Sequence, residues 1–188
     1  GRLSQIKSDG YVDRAFSDLK SYFLQGSYNK NGTLIKALAF GGHERTYQSW
    51  FGLTQEEIDQ NRRQNPYTYE NEIDNYKQDH YQLHWNQKID QNWSTNIGLN
   101  YTFGRGYFEQ FKSDDDVSTY GGIVEATAID FYGTAVTDLI RRRWLDNDYY
   151  VVNATAHYRD SELDLTFGGS YSTYHGDHFG EVIWAKQF

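Results

Sequence analysis

No cysteine occurs in the 188 residues, which excludes a disulfide framework and any thiolate metal site. Methionine is absent too, and proline occurs once, at Pro66. Apolar runs last only a few residues, far short of the roughly 20 that a helical membrane span needs. There is no basic excess: 18 Lys and Arg stand against 26 Asp and Glu, a net charge of −8, which argues against nucleic acid as a partner. No secretion signal is visible at Gly1. Neither a Gly-x-Ser-x-Gly elbow nor a His-Glu-x-x-His pair is present, so no enzyme is expected.

What the chain has in quantity is aromatic residues in alternating patterns. There are 17 Tyr, 11 Phe and 5 Trp, 18% of the chain. Tyr81, Leu83, Trp85 and Ile89 alternate with His80, Gln82, His84, Asn86 and Lys88. After the turn at 90–92 the pattern resumes, with Trp93, Ile97, Leu99, Tyr101 and Phe103 against Ser94, Asn96, Asn100 and Thr102. A period of two is that of a β-strand. Similar stretches occupy 18–28, 33–45, 144–159 and 162–175. A strand end is expected at 2–8, and a further strand from His178 onward. Asn31-Gly32 supplies the positive φ angles of a two-residue hairpin turn.

The connections alternate in length. Short turns fall near 29–32, 90–92 and 159–162, and long loops near 46–77 and 106–143. Within the first loop, Thr54-Gln55-Glu56-Glu57 reads as a helix capping box, giving a short surface helix over 54–63. Eleven-residue strands span about 36 Å. Tilted by about 40°, they cover the roughly 25 Å apolar band of an outer-membrane barrel. The expected fold is all-β: about seven long antiparallel strands forming a section of a transmembrane β-barrel. Such a sheet cannot remain open in a bilayer, because its edges would leave backbone groups unpaired. The expectation is therefore a fragment whose first strand begins before Gly1 and whose last runs past Phe188.

Four stretches, Gly10-Tyr11-Val12-Asp13-Arg14-Ala15, Asp18-Leu19-Lys20-Ser21, His80-Tyr81-Gln82-Leu83-His84-Trp85 and Arg141-Arg142-Arg143-Trp144-Leu145-Asp146-Asn147, resemble the barrel of TonB-dependent outer-membrane receptors of the Bacteroidota type. The likeness runs along nearly the whole chain in order. It implies a 22-stranded barrel, an N-terminal plug domain in cis, and coupling to the TonB complex. It also implies import of ferric siderophores, haem, cobalamin or oligosaccharides, with ferric siderophore the commonest. Neither plug nor TonB box lies in these residues, so they correspond to a central section of the barrel. The expected location is the bacterial outer membrane, among its lipids and lipopolysaccharide.

Several residue groups are candidates for binding. Trp50, Phe51, Tyr107, Phe108, Phe111 and Tyr132 are placed in the long loops, where they would form an aromatic vestibule or simply pack the loops together. Arg141 and Arg143 share one strand face, Arg142 the other; guanidinium forks recognise carboxylates and phosphates. The alternative is a charged rim at the headgroups. His80, Gln82, His84, Asn86, Asn96, Asn100, Asn153 and His157 are expected on the polar, plug-facing side. His80 and His84 lie about 13 Å apart on a strand, too far to share a metal. Asp114-Asp115-Asp116 offers oxygen ligands for Ca²⁺, but three successive acids point in different directions, and neither a metal nor a cofactor is expected. The competing readings are an aromatic-rich carbohydrate-binding sandwich, which would be water-soluble, and a barrel protease of the omptin kind.

Overall fold

The computed structural model describes residues 1–187. Eight strands form one antiparallel sheet: β1 (Arg2–Ser8), β2 (Ser17–Lys30), β3 (Thr33–Tyr47), β4 (Ile73–Lys88), β5 (Trp93–Asp116), the two-residue β6 (Ala128–Ile129), β7 (Ala135–Arg159) and β8 (Asp164–Ala185). They pair in the order β1-β2-β3-β4-β5-β7, with β6 and β8 both on β7, and the sheet is not closed. The only α-helix among the described residues, α1 (Gln55–Gln60), begins at the expected capping box: Thr54 Oγ1 accepts from Glu57 N, and the Glu57 carboxylate accepts from Thr54 N at 2.7 Å.

Length alternation in the connections holds. The turns at 31–32, 89–92 and 160–163 lie at one end, and segments 9–16, 48–72 and 117–134 at the other. Asn31 and Gly32 have φ of 50° and 77°, as a primed hairpin turn requires. Asp90 and Asp160 close the other two turns by accepting backbone N–H bonds, from Asn92 and Trp93 and from Glu162 and Leu163. Those bonds hold both carboxyls below the usual carboxylate range.

Four boundaries differ from expectation, the first being the helix, which ends at Gln60 and not at 63. The second long loop does not run from 106 to 143; β5 continues to Asp116 and β7 begins at Ala135, so the segment between them is 117–134. The first long loop shrinks likewise, from 46–77 to 48–72. Residues 162–175 and the strand expected from His178 are a single strand, β8, of 22 residues. The apparent break, His175-Gly176-Asp177, is bridged because the Tyr174 ring folds over Gly176 and fills the space its missing side chain leaves.

Register defines the two faces. One carries rows such as Ala37–Leu83–Leu99–Val152–Tyr171; its neighbour on the other side is Leu38–Gln82–Asn100–Val151–Ser172. The first face is bounded by aromatics. Trp93 and Tyr158 pack 5.0 Å apart near the short turns, and Tyr81, Tyr101 and Tyr150 stack at 6.0 and 4.7 Å further up. From Trp93 to Tyr101 is about 26 Å along the strand. Directly beyond lies an ionic row, where Asp79 accepts from Tyr22 at 2.9 Å and pairs with Lys77, and Asp148 accepts from Tyr101. Among the described residues no second layer covers the apolar face: Leu83 and Leu99 are each 42% exposed. The buried core is small and sits at the long-loop end, around Leu139, Val124 and Ala185, with Tyr120 and Val182 packed against it.

Candidate functional site

The expected polar-face residues do share one face. His80 stacks on Phe40 at 4.6 Å and meets Thr102 Oγ1 at 2.9 Å. Gln82 donates to Asn100, which donates to Thr102, and His84 contacts Gln82 Oε1. Asn86 pairs in register with Asn96, and Asn96 with Thr155, while Asn153 lies between Gly98 and Ser170. His157, nearest the turns, bonds to Asp164. The result is a largely polar face in which Gln82 and Asn100 bond across strands, with Lys36 beside His84 and Asp164 beside His157.

The single aromatic vestibule does not form. Tyr107, Phe108 and Phe111 are strand residues of β5, not loop residues, and alternation separates Phe108 from the other two. On the apolar-face side, Tyr107 packs on Trp144 at 4.7 Å and Phe111 on Tyr69 at 6.1 Å. On the polar-face side, Trp50 meets the Phe108 ring edge-on at 5.9 Å. Phe51 packs against Tyr67 within its own loop. Tyr132 stands at the tip of the β6 hairpin, 88% exposed and touching only Phe131 among the aromatic rings.

Arg141 and Arg143 also leave the loop for β7, where their register partners are Gln110 and Phe108. They line a cavity of about 570 Å³ on the polar-face side of the upper sheet, roofed by Tyr120 and Ile123 of the 117–134 segment and walled by Leu145, His178 and Val182. The arginines differ in what neutralises them. Arg141 donates to Gln110 Oε1 at 3.0 and 3.3 Å and to Tyr120 Oη at 3.0 Å, with Asp115 3.8 Å away. Arg142 points the other way, bonded to the buried Glu109 at 2.8 Å and lying 4.4 Å over Tyr107. Arg143 lies 5.3 Å over the Phe108 ring, is exposed, and makes no ion pair among the described residues. Below it, His178, Tyr174, Asn147 and Tyr76 form one chain of polar contacts.

Tyr120 was not expected at the site, and nothing in its local sequence marks it. Only the continuation of β5 and β7 beyond the apolar band brings the 117–134 segment back over Arg141. Its hydroxyl is held above the ordinary tyrosine range by burial and by its bond to Asp115.

The acid run serves local structure. Asp116 caps the 3₁₀ turn at Val117–Tyr120, Asp115 bonds Tyr120 and lies 3.6 Å from Lys112, and Asp114 occupies a left-handed backbone conformation at φ 48°. Among the described residues no three His, Asp or Glu converge as metal ligands.

The long-loop end is knitted together. Arg14, at φ 65°, donates to the carbonyls of Asn65 and Tyr67, and Asn65 donates to those of Asp13 and Gln48. Glu72 is buried and accepts from Phe111 N at 3.1 Å, while its other oxygen and the Gln48 amide are buried without partners. Burial pushes the Glu72 carboxyl up. Tyr69, bonded to Glu109 at 2.7 Å, is pushed up to about 12, first by burial and then by that bond.

Comparison with protein-family models, with curated proteins and with solved structures found no match in any of the three.

Proposed function

We propose that this chain forms part of the wall of a TonB-dependent outer-membrane receptor that binds and imports a scarce nutrient, with a ferric siderophore as the foremost candidate. The observation that carries the reading is the uncovered apolar face with aromatic rows at both limits. Its extent of about 26 Å along the strands falls to about 20 Å at a tilt of about 40°. That is close to the apolar band of an outer-membrane barrel. A water-soluble sheet would have to cover this face, since contiguous exposed apolar patches are rare in soluble monomers. A sandwich would place a second sheet there, and these strands form one sheet only.

In this reading the ends of the strands have different duties. The short turns face the periplasm, and the segments 9–16, 48–72 and 117–134 face outward and frame the ligand. The polar wall from His80 to His157 faces the lumen and receives the plug domain, through which the TonB complex is engaged. Strands from elsewhere in the assembled barrel pair with the free edges of β1 and β8.

Membrane fractionation of the source organism tests the proposal. The protein is expected with the outer membrane on a density gradient, resisting high-salt and alkaline washes and released only by detergent. Recovery in the aqueous fraction, or release by salt, would remove the barrel reading altogether.

A further inference from the structure

We infer that the cavity under the 117–134 segment is a binding site for an organic carboxylate with an apolar, aromatic body. The inference rests on the receptor reading for its biological sense, but its physical case is local. The cavity of about 570 Å³ has the size of a small-molecule site. Much of its lining is apolar: Phe108, Ile123, Leu145 and Val182 contribute. Water gains little from such walls, so a ligand's apolar body is favoured there.

Within that lining, one cationic group is left without compensation. Arg141 is committed to Gln110 and Tyr120, and Arg142 to Glu109 on the opposite face. Arg143 has only the face of Phe108, which orients the guanidinium plane but leaves its in-plane N–H groups available. An in-plane fork matches a carboxylate bidentately. Glu181 does not compensate Arg143: it is the register partner of Arg142 on the opposite face, where its Oε2 accepts from Trp144 Nε1 at 2.9 Å. One free guanidinium beside apolar walls favours a single anionic group joined to an apolar ring system over inorganic phosphate, which has no apolar body to seat against them.

The test uses the full-length protein in detergent and three probes: 2-naphthoate, its neutral amide, and inorganic phosphate. Naphthoate fluorescence is expected to report saturable binding at least tenfold tighter than either of the others. Arg143→Gln is expected to weaken naphthoate at least tenfold. Arg143→Lys, which keeps the charge but loses the fork, should fall between Arg143→Gln and the unaltered protein. Arg159→Gln, at the opposite end of the sheet, should change nothing. Equal binding of naphthoate and its amide, stronger binding of phosphate, or an Arg143→Gln variant that binds normally would each overturn the proposal. Membrane fractionation distinguishes its failure from that of the receptor reading: a protein found in outer membranes that ignores naphthoate loses only the ligand assignment. A protein found in the aqueous fraction that binds naphthoate loses only the receptor.

Discussion

At the scale of single residues, the sheet separates glycines that are needed from glycines that are merely present. Gly106 sits where an added Cβ would fall 2.5 Å from Tyr76 Cα and against the Asn75 carbonyl, both backbone atoms of the paired strand. Nothing lies within 4 Å of the same position at Gly26. Gly106→Ala should therefore cost about 1–3 kcal/mol through overpacking, while Gly26→Ala leaves unfolding unchanged; denaturant titration of both variants compares them. Glu72 supports a second prediction. Burial raises its carboxyl above the ordinary 4.5, against the opposing pull of Phe111 N and Lys112, with Glu109 adding to the rise. A raised value means that the folded loop favours the protonated form. That stabilisation is complete below the ordinary value and is lost as pH rises through the raised one. Segment 48–72 should thus open more readily at neutral than at mildly acidic pH, and Glu72→Gln should remove the difference. Hydrogen exchange in this segment, corrected for the intrinsic pH dependence of amide exchange, checks both; greater opening in acid would refute the assignment.

At the scale of elements, the faces of β5 decide what a charge costs. Ile97 lies midway between the Trp93 and Tyr101 rows on the apolar face, and Asn96 is next to it on the polar face. In a bilayer, Ile97→Arg should cost about 2–4 kcal/mol, as a charge on the lipid side near the midplane does. Asn96→Arg should cost far less. Folding titrations into lipid vesicles would reveal equal costs if the faces were misassigned. This same alternation made the strands legible in the sequence, and it is also why their outer ends were missed. Between Trp93 and Phe103 one face is apolar and the other polar, so the period of two is plain. Beyond Gly104 both faces carry polar and aromatic groups: Tyr107, Glu109 and Phe111 alternate with Phe108, Gln110 and Lys112. The period then fades although the ladder to β7 continues, with a shift between Lys112 and Asp115. Arg141 and Arg143 were identifiable by type and by shared face. Their different partners, and the roof over them from Tyr120 and Ile123, depend on pairings across the sheet that no local pattern encodes.

At the scale of the whole molecule, the free edges set the sharpest requirement. β8 pairs with β7 along its length and has no neighbour on its other side among the described residues. An antiparallel strand directs successive N–H groups alternately to its two neighbours. In β8, every second amide is therefore bonded to β7 and the rest face an open edge. An edge of 22 residues is long for a folded protein to leave bare in water, and in hydrocarbon each unpaired group costs several kcal/mol. The receptor proposal consequently makes a residue-by-residue demand on the intact protein in its membrane. Both sets of β8 amides should exchange slowly, and to a similar degree, between Leu165 and Thr173, the stretch level with the apolar band. An open sheet would instead show a two-residue rhythm, with slow exchange toward β7 and fast exchange away from it. Hydrogen exchange resolved to single amides separates these outcomes. The rhythm would mean that the edge is bare and that these strands do not line a closed barrel; its absence would require a strand beside β8, because no side chain can satisfy a whole row of backbone donors.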